Sequence, residues 1–362
     1  MKFQGQWKPF VMMVAVNLGF AAVNVLFKKI LDHGANHLVI VAYRQLIAAI
    51  FLAPIAFFVE RKIRSKLTFQ ILCQLFISAL IGITLAQYFL LLGLKYTSAT
   101  FSCTFVNMVP VITFLLALPF GLEKVNIRSL AGRSKLLGTL VCFGGVILLI
   151  LYKGKPLTNQ HHLTNQHDMT ISTSKTDRWA IGTIFLIAGC FVWSSWFLMQ
   201  ARIGKSYPCQ YSSTAILSSF GALQSAILCL IMERNLSSWV LKGKLEIASV
   251  IYAGVVGSGL CYVGMAWSVK QRGPVFTAAF SPLIQIIVAI FDMSVLHGPL
   301  HLGSVVGSIL VIMGLYILLW GKSKEIETCQ TQSKQAQVAQ LQDEHSTALS
   351  QFIPVTTDPA IP

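Results

Sequence analysis

"LGTLVCFGGVILLILYKG", residues 137–154, has a second copy in the chain, "VGSILVIMGLYILLWGK" at 306–322. Gly138, Gly145 and Lys153 fall on Gly307, Gly314 and Lys322 at one constant offset. A second pair lies upstream of each copy. "GITLAQYFLLLGLK" (82–95) matches "GSGLCYVGMAWSVK" (257–270), setting Gly82 on Gly257 and Lys95 on Lys270. Between the two stretches each half carries a proline in an apolar run, Pro110 and Pro282. The chain is a tandem repeat of two similar units.

The repeated units are membrane helices. A run of about 20 apolar residues crosses the hydrocarbon core as a helix. Ten such runs occur, at about 10–27, 37–59, 69–94, 98–120, 136–152, 179–200, 211–232, 246–269, 274–296 and 302–320. They are continuously apolar rather than alternating, which selects helices over a barrel. The composition agrees: 55% hydrophobic and 11% charged residues, against about 25% charged in soluble domains.

Five runs precede the polar segment 153–178 and five follow it. An odd number per unit makes the two units cross in opposite senses. The expected fold is therefore all-α and integral to the membrane, with ten transmembrane helices in two inverted five-helix repeats. Inverted repeats are the plan of many secondary transporters, in which two similar halves alternate about a central site. The expected boundaries are 1–152 for the first repeat, 153–178 for an extracytoplasmic loop and 179–320 for the second repeat. The Gln-rich tail, 321–362, has too few large apolar residues to fold and is expected to be disordered.

The net charge of +15 would suggest nucleic acid in a soluble chain. In a membrane chain it reports topology. The side bearing both termini carries 17 Lys and Arg and the opposite loops carry 10, which predicts cytosolic termini. Lys2 and Lys8 before the first run imitate a signal peptide, but Asn17 and Asn24 within it, and its counterpart later in the chain, mark a retained span. Six of the eight cysteines, from Cys73 to Cys261, lie in apolar runs without a CxxC pair, so neither a disulfide framework nor a metal site is implied. His161, His162 and His167 with Asp168 sit in the polar loop without fixed ligand spacing. No cofactor is called for. Asn235 opens an N-x-S sequon on an outer loop, close to the seventh span.

Polar residues inside spans are the functional candidates. Arg44 and Asp292 are the intramembrane charges, both expected in the outer third. They could pair, Asp292 could couple protons, or each could reach the interface as a structural charge. Asn17, Asn24, Gln87, Asn107, Gln200 and Gln285 are amides that both donate and accept, which suits a solute bearing an ammonium and a carboxylate; hydrogen bonding between helices is the competing role. Pro110 and Pro282 each remove a helix bond, to the carbonyls of Val106 and Ala278, and are candidate gating kinks. Trp193 and Trp196 share a helical face that can line a cavity or pack. Gly303 and Gly307 allow close approach to the fifth span or to a second protomer in a homodimer.

Several stretches resemble a known family. They are "AGCFVWSSWFLMQARIGKSYPCQYSSTAILSSFGALQSAI" (188–227), "AGVVGSGLCYVGMAWSVKQRGPVFTAAFSPLIQIIVAIFD" (253–292) and "LGSVVGSILVIMGLYILLWGK" (302–322), with "NMVPVITFLLA" (107–117) and "LYKG" (151–154) in the first half. They are similar to the plant nodulin-like branch of the drug/metabolite transporter superfamily. These are EamA-domain proteins related to walls-are-thin and to the usually-multiple-acids-move-in-and-out transporters. The resemblance covers about 1–322 and implies ten helices, cytosolic termini and a central pathway lined by the spans that carry the amides. Known members carry amino acids and some carry auxin, mostly at the plasma membrane and some at the vacuolar membrane. One departure is Gly298, where relatives have an acid equivalent to Glu123.

Together these readings predict an alternating-access carrier of a small organic solute, an amino acid first and an auxin- or purine-like metabolite second. Asn17, Gln87, Asn107, Trp193, Gln200 and Gln285 are the expected pathway residues. The partners are that solute and membrane lipids, not nucleic acid. A membrane enzyme would need a clustered acidic metal motif or a His/Asp pair at membrane depth, which the sequence lacks. A receptor or scaffold would not need the inverted repeat.

Overall fold

A computed structural model describes residues 4–32, 36–62, 66–97, 105, 107–123, 128–151, 173–232, 239–241, 243–291, 306–307 and 309–325, with single positions in the tail. Asp292, Asn235, Gly298, Gly303, Cys103 and the histidine-bearing loop lie outside them. Every extended element among the described residues is helical. In order these are α1 (Gln4–Asp32), α2 (His37–Val59), α3 (Phe69–Tyr96), α4 (Val109–Ala117), α5 (Leu130–Leu151), α6 (Thr173–Ser206), α7 (Gln210–Met232) and α8 (Lys244–Arg272). Then follow α9 (Pro274–Ala278), α10 (Ser281–Phe291) and α11 (309–325). Among the described residues six helices, α1, α2, α3, α6, α7 and α8, are long and apolar enough to cross a membrane. Their outward faces carry Ile50, Phe58, Phe69, Ile184 and Ile231, all well exposed. An apolar surface of that extent is stable only against lipid.

Helix starts follow from local chemistry. Asn36 caps α2, its side chain accepting from the Leu38 N–H at 2.9 Å. α7 is capped from another helix: Glu60, just past α2, accepts from the N–H groups of Tyr211 (2.9 Å) and Ser212 (2.8 Å) and from the Ser212 hydroxyl (2.6 Å). A buried carboxylate on orphan helix donors binds through both hydrogen bonds and the helix dipole. Glu60→Gln is expected to lower stability by about 1–2 kcal/mol, read as a lowered thermal midpoint in detergent; an unchanged midpoint would show that the cap contributes nothing. α8 ends at Gly273, whose φ of 90° suits a residue without a Cβ.

The two halves interlock. α1 packs on α8 and α10, and its counterpart α6 packs on α3 and α4. α2 and α7 pack on each other, as do α4 and α9. Exchanging the halves exchanges each contact for its equivalent, which is the signature of a pseudo-twofold axis. α5 and α11 meet along glycines. A Cβ at Gly138 would come within 2.7 Å of the Gly314 carbonyl oxygen, and one at Gly321 within 2.9 Å of the Ala131 carbonyl oxygen. The two backbones run antiparallel at a separation that larger side chains forbid.

Two irregularities repeat as well. α3 and α8 each contain a π-helical stretch, Leu80–Leu85 and Ala253–Cys261, a feature concentrated at functional sites. The prolines also differ from expectation. Neither Pro110 nor Pro282 kinks a continuous helix. Each is the second residue of a helix that restarts after a turn: at 107–108 before α4, and at 279–280 between α9 and α10. The first turn of a helix is where a missing N–H costs nothing, so the chain breaks and resumes there instead of bending. A further difference is at the C-terminal boundary, where α11 continues through Lys322 to Glu325 rather than ending near 320.

Candidate functional site

A cavity of about 210 Å³ lies between the halves. From α1 it receives Met13, Val16, Asn17 and Phe20, and from α6 Leu186, Gly189, Cys190 and Trp193. Each α6 residue is the α1 residue displaced by 173 positions. α3 supplies Gln87 and Leu90, and α8 supplies Tyr262 and Met265 at the offset that joins Gly82 to Gly257. Phe105 and Val109 face Thr277 and Ser281 at the offset that joins Pro110 to Pro282. Equivalent residues of both halves thus meet at one place, the position of the repeat axis.

The amides separate on the structure. Asn17, Asn24 and Gln87 line the cavity. Asn17 also donates to the Met13 carbonyl one turn earlier, at 2.6 Å. Asn107 is buried in the turn that precedes α4, between the lining residues Phe105 and Val109. Gln200 is buried away from the cavity and donates to the Ser78 hydroxyl at 3.3 Å, joining α6 to α3. Gln285 lies on α10, and its side chain is outside the described atoms.

The two tryptophans also part company. Trp193 lines the cavity. Trp196, stacked on it at 5.1 Å, fills the space above Gly82, where a Cβ would come within 1.9 Å of the indole. Tyr262 closes the aromatic wall, 5.6 Å from Trp196 and 6.1 Å from Phe20 between ring centroids. Sequence reading missed Tyr262, although the repeat register that marks Gln87 lands on it. Arg44, one of the two expected intramembrane charges, is buried in the cavity wall with its guanidinium 5.7 Å from the Phe27 ring centroid.

A second polar cluster closes the end of the bundle at which α1 begins and α11 ends. Glu123, buried just past α4, pairs with Lys135 of α5 at 3.0 Å and with Lys322 of α11, while Lys135 also pairs with Glu325. Burial by itself would raise the Glu123 carboxyl, but the Lys322 and Lys135 ammoniums outweigh it and hold that carboxyl below its ordinary value. Burial pulls the Lys322 ammonium down, with Glu123 opposing. A cluster with favourable pairing and costly desolvation in one place holds geometry more than it adds stability. Here it ties the connection between α4 and α5 in the first half to the end of α11 in the second. Among the described residues no group of His, Cys, Asp and Glu could hold a metal.

The fold is shared with known proteins. The chain matches the EamA-like transporter family over residues 7–151 and 180–320. It is 54% identical to WAT1-related protein At3g30340 of Arabidopsis thaliana, with 88% of each chain covered. It is 50% identical to WAT1-related protein At4g01440 of the same plant, over 88% of this chain and 87% of that one. A solved crystal structure superposes with a TM-score of 0.59 at 13% identity, covering 88% of this chain and 98% of that chain, which speaks for the fold alone. The paired helices, the cavity between them and these relatives lead to one conclusion: the chain is a multi-pass membrane protein that belongs to the EamA-like transporter family, among its plant WAT1-related members.

Proposed function

We propose that the protein carries a small organic solute by alternating access, through ten spans with both termini cytosolic. One observation carries this reading: the cavity is lined by equivalent residues of both halves, so rocking one half against the other exposes the same site to either side. Its volume, about 210 Å³, is below the roughly 300 Å³ at which drug-sized pockets begin, which suits a metabolite the size of one amino acid. Amino acids match the amides Asn17, Asn24 and Gln87. The wall of Phe20, Trp193 and Tyr262 favours a second reading, an auxin-like aromatic acid. Family resemblance favours the plasma membrane, then the vacuolar membrane.

The experiment is uptake and efflux of a labelled amino-acid panel plus auxin in oocytes, at two external pH values. Flux of at least one solute above water-injected controls is expected. No flux of any solute would sink the carrier reading, and a pH-insensitive flux would remove proton coupling through Asp292.

A further inference from the structure

Most of the cavity wall falls in equivalent pairs, and Arg44 is the charged exception. α2 and α7 are both 23 residues long and align end to end, which sets Arg44 on Leu217. Leu217 is buried in the apolar core that both halves share. Packing in this architecture is therefore satisfied by a leucine. A guanidinium in its place adds a buried charge, which is costly to desolvate.

Nothing described neutralises that charge. Arg44 is 8% exposed, its Nε has no acceptor, and it has no carboxylate partner among the described residues. His37 and Tyr262 are its electrostatic neighbours, and neither is an anion at neutral pH. The Phe27 ring offers its π face to the cation, but a ring face cannot accept the five in-plane N–H bonds that a guanidinium presents. The remaining polar lining is neutral: Asn17, Asn24, Gln87, Thr277, Ser281 and the Tyr262 phenol. Among the described residues the wall has no carboxylate, and Arg44 is its one charge.

We infer that Arg44 binds the carboxylate of the transported solute, and that the site selects net-anionic organic acids over zwitterions and amines. This rests on the carrier reading and, of its two substrate classes, favours the aromatic acid over the amino acid. A carboxylate accepts two parallel N–H bonds from a guanidinium and cancels the buried charge in one step. The aromatic wall takes the apolar remainder. A zwitterion gains the same pairing, but its ammonium meets amides and a buried cation instead of an acid. A free amine meets only repulsion.

The test uses the purified full-length protein and four probes sharing one ring: phenylacetate, phenylacetamide, phenylalanine and phenethylamine. Binding is read as the concentration of each that raises the thermal midpoint, in wild type, Arg44→Gln and Arg44→Lys. Phenylacetate should act at about tenfold lower concentration than phenylacetamide or phenylalanine in wild type, and phenethylamine should not act. Arg44→Gln should abolish the preference while keeping the response to the amide, which also shows that the variant folds. Arg44→Lys should keep part of it. The inference is overturned if wild type does not prefer the acid, if Arg44→Gln retains the preference, or if chloride protects as well as phenylacetate. Oocyte flux without an acid preference would remove this inference and leave the carrier standing. Acid binding without flux would do the reverse.

Discussion

Replacing Glu123 with glutamine should lower stability by about 3–5 kcal/mol, the loss expected when one member of a buried ion cluster is removed and its partners remain. Two ammoniums, on Lys135 and Lys322, lie against this carboxylate with side chains only 3% and 10% exposed. Glu325 can serve Lys135, so the heavier burden falls on Lys322. A second substitution, Lys322→Met, should therefore recover much of the loss. Double-mutant analysis of thermal midpoints checks this; simple additivity of the two changes would show that the pair does not interact. The pH dependence has a definite sign. The carboxyl is held below its ordinary value of 4.5 in the folded protein, so its contribution is complete above that value and disappears as pH falls through the lowered folded value. In Glu123→Gln the acid limb of the stability profile should flatten. Because the cluster joins the two halves at one end, the same variant should also alter the balance between inward- and outward-facing states, read as unequal changes in influx and efflux.

Substituting valine for Gly314 should be nearly as damaging, at about 3 kcal/mol, the upper end for overpacking. A Cβ there would stand 2.5 Å from the Cys142 nitrogen and 2.8 Å from the Gly138 carbonyl oxygen. Both are backbone atoms, so no side chain can turn aside; α5 and α11 must separate. Gly144 is the internal control, since a Cβ on it meets nothing within 4 Å. Gly144→Val should leave the midpoint and the monodisperse yield unchanged. Equal behaviour of the two variants would refute the close contact between α5 and α11.

These predictions divide between what was legible in the sequence and what was not. Gly138, Gly145 and Gly314 are visible as repeated letters, and Gly303 with Gly307 allows contact with the fifth span or with a second protomer, but the sequence does not choose between the two. Glu123 was visible as an acid after the fourth run. Its partner Lys322 stood at the head of a tail assigned to disorder, because composition alone cannot register two ion pairs that hold a helix end.

The sequence by itself determined the repeat, its register and hence the pairs that share an environment. Gln87 implies Tyr262 and Leu90 implies Met265, since an inverted duplication carries each position of one half onto the other. Only the tertiary structure decided which of the polar candidates face inward. Asn17 and Gln87 reach the cavity, while Gln200 ties two helices together and Trp196 fills the hollow over Gly82. In a soluble protein the polar face of a helix would have announced its rotation. In lipid both faces are apolar, so the rotation of each helix is set by glycine contacts, π-helical stretches and breaks before proline. Those are properties of packed neighbours, which a single strand of sequence does not contain.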